Sequence, residues 1–384
     1  MPRFLRYLAL SASVLALLIG STTTVFAASP NPVVGHVYVN NNSATHNSVA
    51  GFDRHANGSL TPIAGSPFPT GGAGTGVAIG SAGAIQFSAD GRYVLAVDPA
   101  SNDISVLRVK DDGSLRQVRT EASRGTTPVS LTVHGFLVYV ANAGAGGSDY
   151  SGFWLIDGHL IPIWGSTFAL PDTAAPGQIL FSGDGRTLIA TRVGPATGPS
   201  FIDSFRVGFF GRLTPASDSP IPAQRIGPFG SAFRPTNPRQ LFVSNAHDGA
   251  NLGSVSVYHV GRNASLTAID GSPFADGQTA PCWVAITPDG KYLFAINTGN
   301  STISQYRIAQ GGGLTLLGST PFNDPSGLRP FDAQVDPSGH YLYVVDAGAV
   351  AVSAFKISGG ALKELGSSPF VIPGGAAPFG LIVN

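Results

Sequence analysis

Apolar and polar positions along this chain follow two short-range patterns. Some runs are almost wholly apolar, as in residues 292–296 (Tyr-Leu-Phe-Ala-Ile). Others alternate with period two, as from Ser254 to Tyr258. The first pattern suits a strand buried on both faces, the second a strand with one exposed face. After residue 27 no stretch keeps a 3.6-residue apolar period without Gly or Pro, so helices are not expected to build this molecule.

The strand patterns repeat. Residues 286–297 (Ile-Thr-Pro-Asp-Gly-Lys-Tyr-Leu-Phe-Ala-Ile-Asn) match residues 87–98 and 335–346, and each copy is followed by an alternating run and a Gly-Leu or Gly-x-Leu signal. Weaker copies start near Leu131, Ile179 and Ala232. The leucine that opens the last strand of each unit falls at Leu60, Leu115, Leu160, Leu213, Leu266, Leu314 and Leu362, with gaps of 45 to 55 residues. Seven units of about 50 residues made only of short strands predict an all-β, seven-bladed β-propeller of four-stranded antiparallel blades. The first and second strands should meet in turns such as Asp90-Gly91 and Asp289-Gly290, where glycine supplies the positive φ of a tight hairpin. The chain starts with a unit lacking its first strand and ends with an orphan strand, residues 379–383. Pairing the N- and C-terminal strands would close the ring and remove its exposed edges.

Residues 1–27 read as an address: Arg3 and Arg6, an apolar run over 7–19, then small residues up to a cut between Ala27 and Ala28. The domain expected to remain is one propeller, residues 28–384, secreted or extracytoplasmic, with no membrane attachment after cleavage. Composition narrows its chemistry. Lys plus Arg and Asp plus Glu are 22 each, and losing the two arginines leaves 20 against 22. That balance argues against a nucleic-acid partner, which needs a basic face. A single cysteine, Cys282, excludes a disulfide scaffold and cysteine-based zinc sites, and it is expected to be buried and inert. Cofactors and metals are expected to be none. Of eight histidines only His46 and His247 fall in loops of the upper face, the face where each first strand begins, so a three-histidine zinc site is not expected.

The upper loops carry the candidates for chemistry. Arg124, Arg192, Arg225 and Arg329 stand out on a chain that is only 11% charged. Arginines at a channel mouth suit a carboxylate or phosphate; the competing expectation is that each pairs with a nearby aspartate, such as Arg329 with Asp332. Gln178, Asn245, Trp283, Asn297, Asp332 and Asp346 complete the candidate binding set, and His247, Asp248 and Arg329 the candidate catalytic set. Trp283 is read equally as a stacking platform or as packing between blades. Phe209 and Phe210, in a lower-face turn, would make a docking patch if exposed; folding back over the blade edge is the expected outcome. Gly-x-Ser-x-Gly, His-Glu-x-x-His and phosphate-loop patterns are missing.

The repeated pattern of apolar strand, Pro-Asp-Gly-Lys-Tyr-Leu, Asn, Ser/Thr-Ile-Ser, Gly-Leu and Gly-Ser-Pro-Phe resembles the lactonase-type seven-bladed propellers, which include 6-phosphogluconolactonases and 3-carboxymuconate cyclases. The resemblance covers roughly residues 33–384 and implies a site at the top of the central channel built from Arg, His and Glu. In that family a Gly-Pro-Arg-His run commonly precedes an inner strand and an Asn-Glu pair ends the next. Here the corresponding residues are Gly227-Pro228-Phe229-Gly230 and Asn245-Ala246, without the Arg-His and the Glu. Two functions follow as expectations. One is a secreted lactone hydrolase or lactonising cyclase with a rearranged site, in which an arginine holds the substrate carboxylate and His247 or an aspartate moves the proton. The other is a non-catalytic propeller that binds a small anionic ligand, a glycan or a protein.

Overall fold

The computed structural model describes residues 31–324 and 326–384; the predicted signal peptide lies outside them. Seven antiparallel sheets form the chain; in six the strands lie in sequence order from the channel outward, and in the remaining one the last strand of the chain lies inside the first three. The innermost strands are Phe379–Val383 (blade 1), Ile85–Phe87 (blade 2), Pro128–His134 (blade 3), Pro176–Phe181 (blade 4), Pro228–Arg234 (blade 5), Pro281–Ile286 (blade 6) and Pro330–Val335 (blade 7). Neighbouring inner strands contact one another around the whole ring. Among the described residues the only helical turns are two single 3-10 turns, Asp172–Ala174 and Phe209–Gly211.

The second strands carry the core. Tyr93–Asp98, Leu137–Asn142 and Thr187–Arg192 are buried at every position, which is why they read as unbroken apolar runs. Second-strand tyrosines also stitch blade to blade. Tyr38, Tyr139 and Tyr343 donate their hydroxyls to the carbonyls of Gly113, Gly211 and Gly58 in the adjacent blade, at 2.6, 2.7 and 3.0 Å. A buried phenol needs such a partner. These glycines open the Gly-x-Leu signal, and at Gly113 the requirement is double: φ is +75°, and a Cβ would lie 2.3 Å from the His36 ring.

The Gly-Ser-Pro-Phe motif has a structural task. In five blades the outermost strand is split in two, its second piece pairing separately with the third strand. A serine fills the gap: Ser66, Ser166, Ser219, Ser272 and Ser368 each accept a third-strand N–H at 2.8–3.1 Å. Blades 2 and 6 lack the motif, and their outer strands, Leu115–Ala122 and Leu314–Pro321, run uninterrupted.

Ring closure joins the two ends of the chain as expected. Val33–Asn40 pairs with Ser48–His55 on one side and with Phe379–Val383 on the other. A buried ion pair adds to the seam between blades 7 and 1: Arg54 Nη1 lies 3.1 Å from Asp336 Oδ2, with side-chain exposures of 7% and 0%. Arg54 Nε also donates to the Asn384 carbonyl at 2.9 Å. Removing one member strands the other charge, so Arg54→Ala is expected to cost about 3–5 kcal/mol in urea denaturation. An unchanged midpoint would show that the seam does not depend on this pair.

Phe209 and Phe210 do not fold back. They are 86% and 64% exposed, their rings edge to face at 4.8 Å. Phe210 sits at φ +61°, its carbonyl held by Trp154 Nε1 at 3.1 Å. A Cβ on Gly211 would lie 2.5 Å from Leu137 Cδ2, so it is the glycine of this turn that is pressed against the neighbouring blade.

Candidate functional site

Every second strand ends in a polar residue: Asn40, Asp98, Asn142, Arg192, Asn245, Asn297 and Asp346. All seven are buried, and each turns toward a neighbouring strand or loop of the sheets. Arg192 forks onto Asp203 through Nε and Nη2, and Tyr150 donates to the same carboxylate at 2.7 Å. Asn245 Nδ2 reaches Ser254 Oγ and Ser256 Oγ at 3.0 Å, and Asn297 Nδ2 reaches Thr302 Oγ1 and Ser304 Oγ at 3.0 and 2.9 Å. Ser353 donates to Asp346 Oδ2, while Asp346 Oδ1 has no partner and burial pushes that carboxyl up to about 8. Four of the twelve candidates, Arg192, Asn245, Asn297 and Asp346, thus bond to the adjoining third strand of their own blade.

The upper mouth of the channel is apolar. The residues following the inner-strand prolines include Phe229, Cys282, Phe331 and Phe379, and all four belong to one buried cluster with Ala82, Val193 and Ala246. The Phe331 and Phe379 rings are 4.8 Å apart. Burial pushes the Cys282 thiol up to about 11, so it is neither charged nor nucleophilic near neutral pH. Residues 79–84, from the connection between blades 1 and 2, reach across the channel. Ala82 N donates to the Gly177 carbonyl of blade 4 at 2.9 Å, and Leu131 N of blade 3 donates to the Gly83 carbonyl at 2.9 Å.

Asp332 is enclosed by this plug. It is 1% exposed, and neither carboxylate oxygen closes a hydrogen bond, although the amides of Gly83 and Gly380 face it. Burial raises its pKa to about 7. The sequence-level pairing with Arg329 does not form. Arg329 is exposed in a shallow pocket of about 140 Å³ with Ala78, Phe331, Ala347 and Phe379.

The remaining upper candidates sit elsewhere. Asp248 Oδ1 accepts the Ile226 N–H at 3.1 Å, and its Oδ2 lies 4.0 Å from Arg225 Nε. His247 lies against Gly227, and burial lowers its pKa. These three form one group on blade 5, whereas Arg329 is on blade 7 and the pocket beside it includes none of them. Arg124 is exposed ahead of blade 3, with no carboxylate within 4 Å among the described residues.

A cavity of about 430 Å³ occupies the lower half of the channel. It opens on the other face, between the first-to-second turns marked by Gly183, Pro235 and Pro288. Gln86, Gln178, Ser231, Arg234, Trp283 and Gln334 supply its polar atoms, with Leu180, Phe233, Ile286 and Leu381 among its apolar walls. Gln178 and Trp283 are the two sequence candidates that line it. Sequence reasoning missed Gln86, Gln334 and Arg234. The available signal was a glutamine interrupting an otherwise apolar inner strand, as in Ile85-Gln86-Phe87.

Comparison with known proteins places this architecture. The family model for the lactonase seven-bladed β-propeller matches residues 31–146 and 233–378. A Bacteroides uniformis protein provisionally named a 6-phosphogluconolactonase superposes with a TM-score of 0.72 at 20% identity, covering 92% of this chain and all of its own. The periplasmic gluconolactonase of Pseudomonas aeruginosa gives 0.70 at 16% identity, covering 91% and 98%. A protein of unknown function from Desulfotomaculum acetoxidans gives 0.69 at 14%, also covering 91% and 98%. At these identities the structural likeness establishes the fold. No functionally curated protein matches this sequence.

Proposed function

Because this chain belongs to the lactonase family of seven-bladed β-propellers, we propose that it is an extracytoplasmic member that binds a small molecule in its channel and does not open lactones at the upper mouth. The observation that carries this reading is the apolar plug. Lactone opening needs a donor set for the developing oxyanion and a group to move the proton, converging on one carbonyl. Phe229, Phe331, Phe379 and Cys282 fill the upper mouth instead. His247 and Asp248 stand on blade 5 and Arg329 on blade 7, with no common pocket beside Arg329. The address rests on the signal-like first 27 residues, and the periplasmic gluconolactonase of Pseudomonas aeruginosa is a precedent for the fold outside the cytoplasm.

The test is a pH-indicator hydrolysis assay on residues 28–384 with aldonolactones, muconolactone-type lactones and acyl-homoserine lactones. The expected result is no rate above the uncatalysed one. Turnover that disappears in Arg329→Ala or His247→Ala would overturn the reading and establish a lactone-opening enzyme with a rearranged upper site.

A further inference from the structure

We propose that the lower cavity of the channel is a binding site for a carboxylate with a compact apolar body, which enters from the face of the first-to-second turns. The proposal rests on the small-molecule reading above and adds the place and the ligand class. A volume of about 430 Å³ lies within the usual range of small-molecule pockets, roughly 300–1,000 Å³.

The chemistry follows from counting donors and acceptors. Gln178 is 3% exposed, and its Oε1 accepts both the backbone N–H and the hydroxyl of Ser231, at 2.5 and 2.7 Å. A backbone N–H can only donate, so it fixes which end of the amide is oxygen. The Nε2 of Gln178 is left without an acceptor among the described residues. Gln334 repeats the arrangement: its Oε1 accepts the Val383 N–H at 2.7 Å, and its Nε2 is unused. Among the described residues no protein acceptor takes the Trp283 indole N–H either. The cavity therefore offers donors from blades 4, 6 and 7, while the oxygens of Gln178 and Gln334 are already engaged; the third side-chain amide, that of Gln86, bonds to no described residue and can turn its NH2 group toward the same ligand.

Charge points the same way. No Asp or Glu lines the cavity. Arg234, at its mouth, spends Nε on the Gly290 carbonyl and Nη1 on Gln240 Oε1 and the Ala309 carbonyl, at 2.8–2.9 Å. These partners are neutral, and no described carboxylate lies within 4 Å of the guanidinium. Asp289, the carboxylate whose field reaches Arg234, is engaged by Lys291 Nζ at 3.1 Å. A ligand that only accepts suits this set, and a carboxylate does so with charge assistance. The apolar walls require the remainder of the ligand to be hydrocarbon rather than polyhydroxylated.

Calorimetric titration of residues 28–384 with benzoate and with benzyl alcohol tests the assignment. Benzoate should bind at least tenfold more tightly than benzyl alcohol. Gln334→Glu keeps the oxygen that holds Val383 but replaces the free donor with a negative charge. It should weaken benzoate at least tenfold and leave benzyl alcohol within about twofold. If that variant does not fold, Arg234→Gln removes the mouth's charge and should weaken benzoate severalfold or more. Trp283→Phe removes one of the cavity's donors and should weaken benzoate severalfold while leaving benzyl alcohol within about twofold. Equal affinity for the two probes, no binding of either, or benzoate affinity unmoved by both charge variants would overturn the cavity assignment. Lactone turnover would instead overturn the functional reading, so the two failures are distinguishable.

Discussion

Removal of residues 377–384 should abolish the folded state. The lost strand, Phe379–Val383, is buried at all five positions. Phe379, Leu381, Ile382 and Val383 are each no more than 7% exposed. Burying a side chain of this size is worth about 1.5–3 kcal/mol, so the four together contribute on the order of 6–12 kcal/mol. A typical domain has about 5–15 kcal/mol of net stability. The hydrogen bonds from Val383 N to Gln334 and from His36 N to Asn384 Oδ1, at 2.7 and 2.6 Å, go with them. The deletion also leaves one edge of Val33–Asn40 unpaired, a template for aggregation. The expected observations are insoluble expression and loss of the strand signal in circular dichroism. A soluble truncated chain with the full-length melting temperature would show that the ring does not depend on its closing strand.

Asp332→Asn should stabilise the protein at pH 8 and change little at pH 4. The folded-state pKa is raised to about 7 from the ordinary 3.8. Between those values the folded chain holds a proton that the unfolded chain has released. Stability therefore falls as pH rises through that window, and the full penalty is present above pH 7. Three pH units at about 1.4 kcal/mol each set a ceiling of about 4 kcal/mol, which entry of water or a shift of Gly83 would lower. An amide of the same shape cannot ionise, so the difference between the two stability–pH curves isolates this group. It should be near zero at pH 4, grow to pH 7 and then level off. Asp346, raised to about 8, acts in the same direction in both proteins and cancels. A constant offset across the whole range would remove the buried carboxyl as the cause.

Much of the fold was legible because its determinants are local and repeated. Seven leucines at a near-constant spacing mark seven hairpins, and Asp-Gly turns need glycine's backbone wherever they occur. The incomplete unit at one end and the orphan strand at the other imply closure by valence alone. The loss of the Arg-His pair was equally plain, since Phe229 and Gly230 stand in its place.

The site was less legible because it depends on where side chains point. Asn297 and Trp283 look equally available near upper loops. Yet strand register sets Asn297 against Thr302 and Ser304 of the next strand, while Trp283 lines the channel. Arg192 is claimed by Asp203, eleven residues on, across a strand pair whose register the sequence does not state. The path of residues 79–84 rests on bonds to Gly177 and Leu131, two blades and one blade away, and no local pattern encodes such distant partners. The sequence by itself determined the repeat, the strand order and the closing seam, because those follow from periodicity and turn chemistry. Only the tertiary structure decided that the upper mouth is apolar and that Gln178 and Trp283 line the cavity below it, because both depend on side chains of different blades meeting around the channel.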